Sequence, residues 1–531
     1  MRYLIRRLNT TPIACPRVWL AAAAALALIG CPQTPPDLTP QPDAPGEHRL
    51  RFAVLSDMHI LDEESPARFV RFDSFNQSAW RPQEGYTVQV LDAALGIIND
   101  RHQLGKATGL PVDFVLVTGD CTDNAQYNEL RWFIDTMYGL PVLTDSGALD
   151  GPLRNVAPED NPKLPYLATG LDRDIPWYVV HGNHDGLAQG NFAIDRSSPD
   201  PVEWSAPLLP PMAIIVGLHD ISPGLNALSP TLDSSPAIIR ASEELIDPDS
   251  LQLNVDELES GPFPRDFGRQ YLSRRRFVEE FFNTQSSPLG HGFTPQNLAD
   301  GTAHYTMRPD DDVPARFIVM NTVPDSPPDG LPVEYGVMTR EHFEGFVQPA
   351  VETARAAGEF VILVSHHPSE DFAKPFPNQS VKTYEFRGYL SQQPHVIAHL
   401  SGHYHRHLVT LVSGLYPYLE IETASLIDYP QEGRIIDIFW DETSESVRLE
   451  SSVFSHTENP TRLASEGYRR ASIDMAQHKA LSTRSVPPEL EAAFATAATA
   501  PPDWKNRPPS ERYGHPSDRE FTATFHRPRV R

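Results

Sequence analysis

The sequence predicts an α/β fold, and three observations predict it. Short apolar runs of strand length alternate with stretches of helical spacing, the pattern of βαβ units. Five of those runs stop abruptly in clusters of Asp, Asn and His. In α/β folds, chemistry collects beyond the carboxyl ends of the strands. The clusters are therefore expected to share one edge of the core.

The first core strand is Arg51–Ser56, and it ends in Asp57-Met58-His59. Side chains alternate with period two along an extended chain, so Asp57 and His59 are expected to point the same way and one cation can take both. A polar loop containing Phe69, Phe72, Phe75 and Trp80 leads to Tyr86–Arg101, where Val90, Leu91, Ala94, Leu95 and Ile98 recur at helical spacing. A second buried strand, Asp113–Thr118, runs into Gly119-Asp120-Cys121-Thr122-Asp123. Gln126–Tyr138 follows, with Leu130, Phe133, Ile134 and Met137 on one helical face. The third strand, Trp177–Val180, breaks at Gly182 and presents Asn183, His184 and Asp185.

From about 187 to 313 the chain is an insertion rich in Pro, Ser, Asp and Gly, with one helix expected at Gln270–Asn283. Loops of this length are functional covers or lack fixed structure. His219, His291 and Arg274-Arg275-Arg276 are its candidate substrate contacts. Against them stands the plainer reading, a solvated arginine face and satisfied histidines.

The core resumes at Arg316–Asn321, followed by an amphipathic helix near Arg340–Ala357 that Pro349 is expected to kink or restart. Phe360–Val364 ends in Ser365-His366-His367-Pro368, and His395–Leu400 ends in Ser401-Gly402-His403-Tyr404-His405. Leu408–Ser413, Tyr418–Thr423, Arg434–Trp440 and Ser446–Val453 read as an antiparallel return. Beyond Thr457 the chain is polar, and Ser485–Arg531 reads as a helix and extended tail without chemistry.

Charge narrows the partners. Lys+Arg 44 against Asp+Glu 70 gives a net charge of −26, and the arginines of the first thirty residues leave the remainder more acidic still. Such a surface disfavours nucleic acid and anionic membranes and suits a site that concentrates divalent cations. Prolines number 52 of 531 residues, about twice ordinary usage, which fits long loops.

The N-terminus carries an address. Arg2, Arg6, Arg7 and Arg17 surround or precede the apolar run Val18–Ile29, which is short for a spanning helix and fits a secretory signal. It ends in Leu28-Ile29-Gly30-Cys31, which resembles the lipobox of bacterial lipoproteins. That resemblance implies a signal over 1–30, acylation of Cys31 and a lipid-anchored place in the bacterial cell envelope; an ordinary signal peptide is the alternative. The proline-rich linker 31–48 holds the domain off the bilayer. With Cys15 in the signal and Cys31 acylated, only Cys121 remains, so no internal disulfide forms.

The strand ends supply Asp57, His59, Asp120, Asn183, His366, His403 and His405. Seven mixed O and N donors suit two cations of Fe, Mn or Zn rather than Ca. There is no Gly-x-Ser-x-Gly elbow and no Gly-rich nucleotide loop, and Cys121 reads as a small buried residue.

Asp57-x-His59, Gly119-Asp120-x-x-Asp123, Gly182-Asn183-His184-Asp185, His366-His367-Pro368 and Gly402-His403-x-His405 together resemble the calcineurin-like metallophosphoesterases. The resemblance covers roughly Arg51–Val453, with the insertion and the tail outside it; the domain is expected over 49–456, with 457–531 as a C-terminal extension. It implies a four-layer αββα sandwich of two mixed sheets with a dinuclear metal site at the strand ends. The first metal would take Asp57, His59, Asp120 and His405, the second Asp120, Asn183, His366 and His403, with Asp120 bridging. His366 is the expected ligand and His367 the alternative. The implied activity is hydrolysis of a phosphomonoester or phosphodiester by a hydroxide bridging the metals, with His184 as proton donor, Asp185 holding its other nitrogen and Asp123 behind the ligands. The competing reading is a lipid-anchored binding protein whose metal site is structural or degenerate.

Overall fold

The computed structural model describes residues 48–63, 65, 80–146, 157–187, 189–190, 266–309, 313–323, 335–373, 380–441, 444–481 and 512–526. The Val18–Ile29 run, Cys31, the proline linker, Phe69, Phe72, Phe75, His219 and most of the insertion and tail lie outside the described residues.

In chain order the strands are β1 His48–Leu55, β2 Phe114–Val117, β3 Pro141–Val142, β4 Tyr166–Leu167, β5 Trp177–Val179, β6 Tyr305–Met307, β7 Ala315–Val319, β8 Phe360–Val364, β9 Val396–Ser401, β10 Leu408–Val412, β11 Tyr418–Glu422, β12 Glu432–Asp441, β13 Ser446–Ser455 and β14 Glu520–His526. Twelve of them build two mixed six-stranded sheets, β14-β13-β12-β1-β2-β5 and β10-β11-β9-β8-β7-β6; β3 and β4 form a separate ribbon. β1, β2 and β5 are parallel to one another, as are β7, β8, β9 and β11.

Alternation along the strands makes the layers. In β8, Phe360, Ile362 and Val364 face the core between the sheets, while Val361 and Leu363 face a second core under the helices. That second core takes Phe343, Val347, Val351 and Ala354 from Arg340–Ala357 and Phe386 and Leu390 from the helix Thr383–Leu390. On the other side, α1 (Thr87–Thr108) and α2 (Tyr127–Tyr138) lay Leu91, Leu95, Ile98, Leu130 and Phe133 against the first sheet. The result is the expected αββα order. Between the sheets, the rings of Phe52 and Phe114 stack at 4.7 Å, and Phe317 of the opposite sheet meets both edge-on at 5.4 and 5.5 Å.

Local chemistry sets the element ends. Gln126 and Glu129 form a reciprocal cap at the start of α2, and Gly109, at φ +87°, ends α1 in a conformation that glycine adopts without strain. Within Arg340–Ala357, a π turn at Phe343–Val347 precedes the helix Gln348–Ala357, so Pro349 sits in a first turn where its missing N–H costs nothing. The insertion helix is shorter than expected, Arg274–Glu280, because Ser273 caps it by accepting from the Arg276 N–H.

Two expectations change. The four return strands do not form one antiparallel unit: β10 and β11 join the second sheet, β11 parallel to β9, while β12 and β13 join the first. Apolar alternation marks a strand and says nothing of its partner. The tail is not outside the fold either. β14 pairs antiparallel with β13 from Ser446↔His526 to Ser452↔Glu520, burying Phe521, Ala523 and Phe525. The helix Arg462–Leu481 lies on α1, with Gly467 against Val90 and Tyr86. Among the described residues no helix is long and apolar enough to cross a membrane.

Candidate dinuclear metal centre

The carboxyl ends of β1, β2 and β5 in one sheet and of β8 and β9 in the other meet at one edge. The chain turns sharply there. Asp57, His59, Asp120, His403 and His405 all have φ between +45° and +71°. Left-handed backbone is rare outside glycine, but Asp, Asn and His enter it more readily than other residues. Asp57 and His59 thus converge because the chain bends at both, not through the period-two alternation of an extended strand. Neighbouring loops fix the bends: the Asp57 N–H donates to Gly119 O at 3.1 Å and the His59 N–H to Asp120 O at 3.0 Å. Crowding explains two glycines. A Cβ on Gly182 would collide with Asp120 Oδ1, and one on Gly402 with Ser56 Oγ.

Six of the seven candidate ligands follow one rule: one polar atom is tied to protein and another is left facing inward. Asp57 Oδ2 accepts from the His403 N–H at 3.0 Å, leaving Oδ1. Asp120 Oδ1 accepts from the His184 N–H at 2.9 Å, leaving Oδ2. Asn183 Nδ2 donates to Gly190 O at 3.0 Å, leaving its carbonyl oxygen. His59 Nδ1 pairs with Asp123 Oδ1 at 2.9 Å, His405 Nδ1 with Asp428 Oδ2 at 2.8 Å, and His366 Nδ1 with Thr118 O at 2.9 Å, each leaving Nε2. The seventh, His403, places Nε2 3.3 Å from Asp371 Oδ2.

The inward atoms crowd together. His405 Nε2 lies 3.3 Å from Asp57 Oδ1 and 3.3 Å from His59 Nε2, and His366 Nε2 lies 3.1 Å from Asp120 Oδ2. Asp57 Oδ1, Asn183 Oδ1 and His366 Nε2 are buried without a hydrogen-bond partner among the described residues. In the neutral rings, with Nδ1 protons committed to acceptors, the Nε2 atoms would carry lone pairs, so lone pairs and carboxylates would face one another. Such a cluster needs positive charge in its middle. The groups Asp57–His59–His405, Asp57–Asp120–His366, His59–Asp120–His184 and His366–His367–His403 each have ligand atoms within 4.8 Å of one another, and the first and last share no residue. The residues present fit two cations.

The electrostatics agree. Burial opposes the charged form of His59, yet its Nδ1 bond to Asp123 and the nearby carboxylates of Asp57 and Asp120 outweigh it, raising the ring to about 10. His366, opposed by the same burial, rises to about 9 beside Asp120 and Asp57. In the absence of metal, protons are drawn to where cations belong. His184 goes the other way, to about 4, through burial and the neighbouring His59. Its side chain and that of His403 stay 13% and 10% exposed, whereas Asp57, His59 and His366 are sealed. Solvent therefore reaches the cluster at His184 and His403.

Some assignments shift. Asp185 does not hold His184: its carboxylate accepts from the Gly182 N–H at 2.9 Å and the Thr122 N–H at 3.0 Å, stapling two ligand loops, while His184 Nδ1 donates to Asp123 O at 2.6 Å. His367 Nδ1 pairs with Thr322 Oγ1 at 2.7 Å, its ring 4.4 Å from that of His403. His291 is no substrate contact. It is fully buried and stacked on Trp177 at 3.5 Å, with Nδ1 bonded to Trp177 O. Arg274 is buried and donates to Val323 O, and Arg276 faces Glu279 at 4.0 Å. Sequence reasoning passed over Asp428 and Arg81, whose guanidinium lies 3.0 Å from Asp428 and 3.6 Å from Asp123. It passed over Asp371 as well. A buried Asp in the segment after β8 carries no local motif; only its histidine partner reveals it.

A family model described as calcineurin-like phosphoesterase matches residues 50–407. No curated protein matches the chain. Among solved structures, a dimetal phosphatase from Danio rerio aligns at TM-score 0.34 and 10% identity over 77% of this chain and 100% of its own. The sulfate thiohydrolase SoxB from Termus thermophilus, in complex with glycerol, aligns at TM-score 0.31 and 12% identity over 82% of this chain and 62% of its own.

Proposed function

This chain belongs to the calcineurin-like phosphoesterases, metal-dependent hydrolases of phosphoesters, and from that premise we propose that it cleaves a phosphomonoester or phosphodiester at a dinuclear centre with His184 as proton donor. The observation that supports this most directly is the set of inward, unpartnered ligand atoms, Asp57 Oδ1, Asn183 Oδ1 and His366 Nε2, closed off from water and ringed by carboxylates and imidazoles. Asp57, His59, Asp120 and His405 would hold one ion, and Asp120, Asn183, His366 and His403 the other. Fe, Mn or Zn suits these donors. When bound, the pair acidifies water and polarises the phosphoryl oxygens.

The chain's own residues supply the rest. Asp123 and Asp428 keep His59 and His405 in the tautomer that offers Nε2. Of His184 and the seven candidate ligands, only His184 and His403 have solvent exposure above a few per cent, so the ester would enter there. In the neutral ring of His184 the proton sits on Nδ1, facing Asp123 O. Donation from Nε2 to the leaving oxygen therefore needs the imidazolium, which the charge of an incoming phosphate would favour. We also infer attachment to the bacterial envelope through acylated Cys31, with 31–48 as a tether, and residues 49–456 plus the β14 tail as the catalytic unit.

The test uses the chain lacking residues 1–46, loaded with Mn or Zn, on mono- and bis-nitrophenyl phosphate. Turnover of either supports the reading, and their ratio assigns the ester class; turnover of neither sinks it. His184→Ala is expected to keep its metals and lose about 10²–10⁴-fold in kcat. Unchanged turnover removes the proton-donor role.

A further inference from the structure

The family match ends at His407, yet the back of the metal centre is built by a segment more than a hundred residues later. Asp428, which orients His405, is held from two sides. Arg81 Nε lies 3.0 Å from Oδ1, and Arg512 Nη1 lies 3.5 Å from Oδ2, the oxygen that accepts from His405 Nδ1 at 2.8 Å. Arg512 is itself buried, at 3% exposure. Its guanidinium is one of the charges that hold the Asp428 carboxyl well below the usual carboxylate range.

The same segment grips the ligand loop by its backbone. The His407 N–H donates to Arg512 O at 3.0 Å, two residues beyond His405. Gly514, at φ +80°, lies so close that a Cβ there would stand 2.6 Å from His407 O. Both sheets receive the segment next. Asp518 Oδ1 accepts from the Val409 N–H of β10 at 3.0 Å, Asp518 O accepts from Arg434 Nη2 of β12 at 2.8 Å, and β14 then pairs with β13. Arg519 closes on Glu432, whose Oε2 also faces His407 Nε2 at 3.2 Å.

We propose that Arg512 is a positioning residue for the metal centre: the C-terminal segment acts through Asp428 and the His405–His407 backbone to hold His405 at the first metal. The alternative is that the segment only caps the sheet edge. A purely packing role predicts loss of stability alone; a positioning role predicts loss of metal affinity at one of two ions, since an outer partner of a metal-bound histidine carries about 10–100-fold in affinity.

The inference rests on the dinuclear reading, and its test keeps the two apart. The full chain is titrated with Co(II), following the visible absorption and the bound metal per chain, without substrate. Two ions bound by the wild-type chain satisfy the dinuclear reading. Arg512→Ala is then expected to weaken one of them by about 10–100-fold, with Arg512→Lys recovering part of the loss, and Asp428→Asn to weaken the same ion. In Arg512→Ala/Asp428→Asn the losses are expected to fall short of additive, because both act through one histidine. Phe525→Leu, in β14 beside Val447 and bonded to neither Asp428 nor His405–His407, serves as the packing control and leaves both affinities within about twofold. Wild-type affinity in a folded Arg512→Ala chain overturns the proposal. So do strictly additive losses, and if Arg512→Ala does not fold, an Arg512→Lys chain whose affinity and absorption match wild type overturns it too.

Discussion

At Asp57, His59, Asp120, His403 and His405, residue choice answers two demands at once. As the proposed ligands each would offer a donor atom, and each sits in left-handed backbone; Asp and His satisfy both where Glu, Cys or Lys would satisfy one. The glycines beside them answer a third demand, room. Gly182→Ala would drive a Cβ into Asp120 Oδ1 and against the Asp120 backbone N. The expected result is metal affinity weaker by at least about 10-fold, and turnover lost with it, while far-UV circular dichroism stays native. Metal binding equal to wild type in that variant would show that Asp120 can retreat at no cost. His184 belongs to the same scale: it lies beside the candidate ligands His59 and Asp120, while the partner expected for it, Asp185, turns back to Gly182 and Thr122.

Elements were legible in proportion to how local their causes are. The runs ending at Leu55, Val117, Val179, Val364 and Ser401 are strands because their apolar stretches are continuous, and their polar ends reach one edge because parallel strands share direction. Pairing was not legible. The β11 run gives no hint that it inserts beside β9, and the β14 run Phe521-Thr522-Ala523-Thr524-Phe525 alternates plainly yet follows a Pro- and Ala-rich stretch that drew the eye to a tail. The site divides likewise. The candidate ligands that the structure brings together stand in compact motifs, whereas Asp428, Arg81 and Arg512 were hidden because a counter-charge for a buried histidine is chosen by three-dimensional neighbourhood. His291 shows how an element can absorb a titratable group. Burial under Trp177 depresses its ring to about 4. An unfolded histidine titrates near 6.5, so between these values the unfolded chain takes up a proton that the folded chain refuses. Its contribution is present above about pH 6.5 and is lost as pH falls toward 4. Compared with His291→Gln, the wild-type chain is expected to lose stability more steeply over that window, by up to about 1.4 kcal/mol per pH unit. Parallel pH profiles of denaturant unfolding would refute this.

On the scale of the whole molecule the candidate metal centre lies between two sheets, with the candidate ligands Asp57, His59, Asp120 and Asn183 following strands of the first and His366, His403 and His405 following strands of the second. Removing the cations leaves ionised Asp57 and Asp120 facing each other's surroundings without their main counter-charge. Chelation is expected to lower the melting temperature by several degrees, and Mn at about 100 times its Kd to restore about 2.7 kcal/mol per site. A calorimetric transition indifferent to chelator and metal would contradict a native centre of this kind. The division of donors also makes the centre a gauge of how the two halves of the protein are seated. Motion within either sheet carries its own donors along together, but a slide of one sheet over the other pulls four away from three in a single step. The Phe52–Phe114–Phe317 contact joins the two sheets in the interior, so loosening it is expected to be felt as lost chemistry before lost shape.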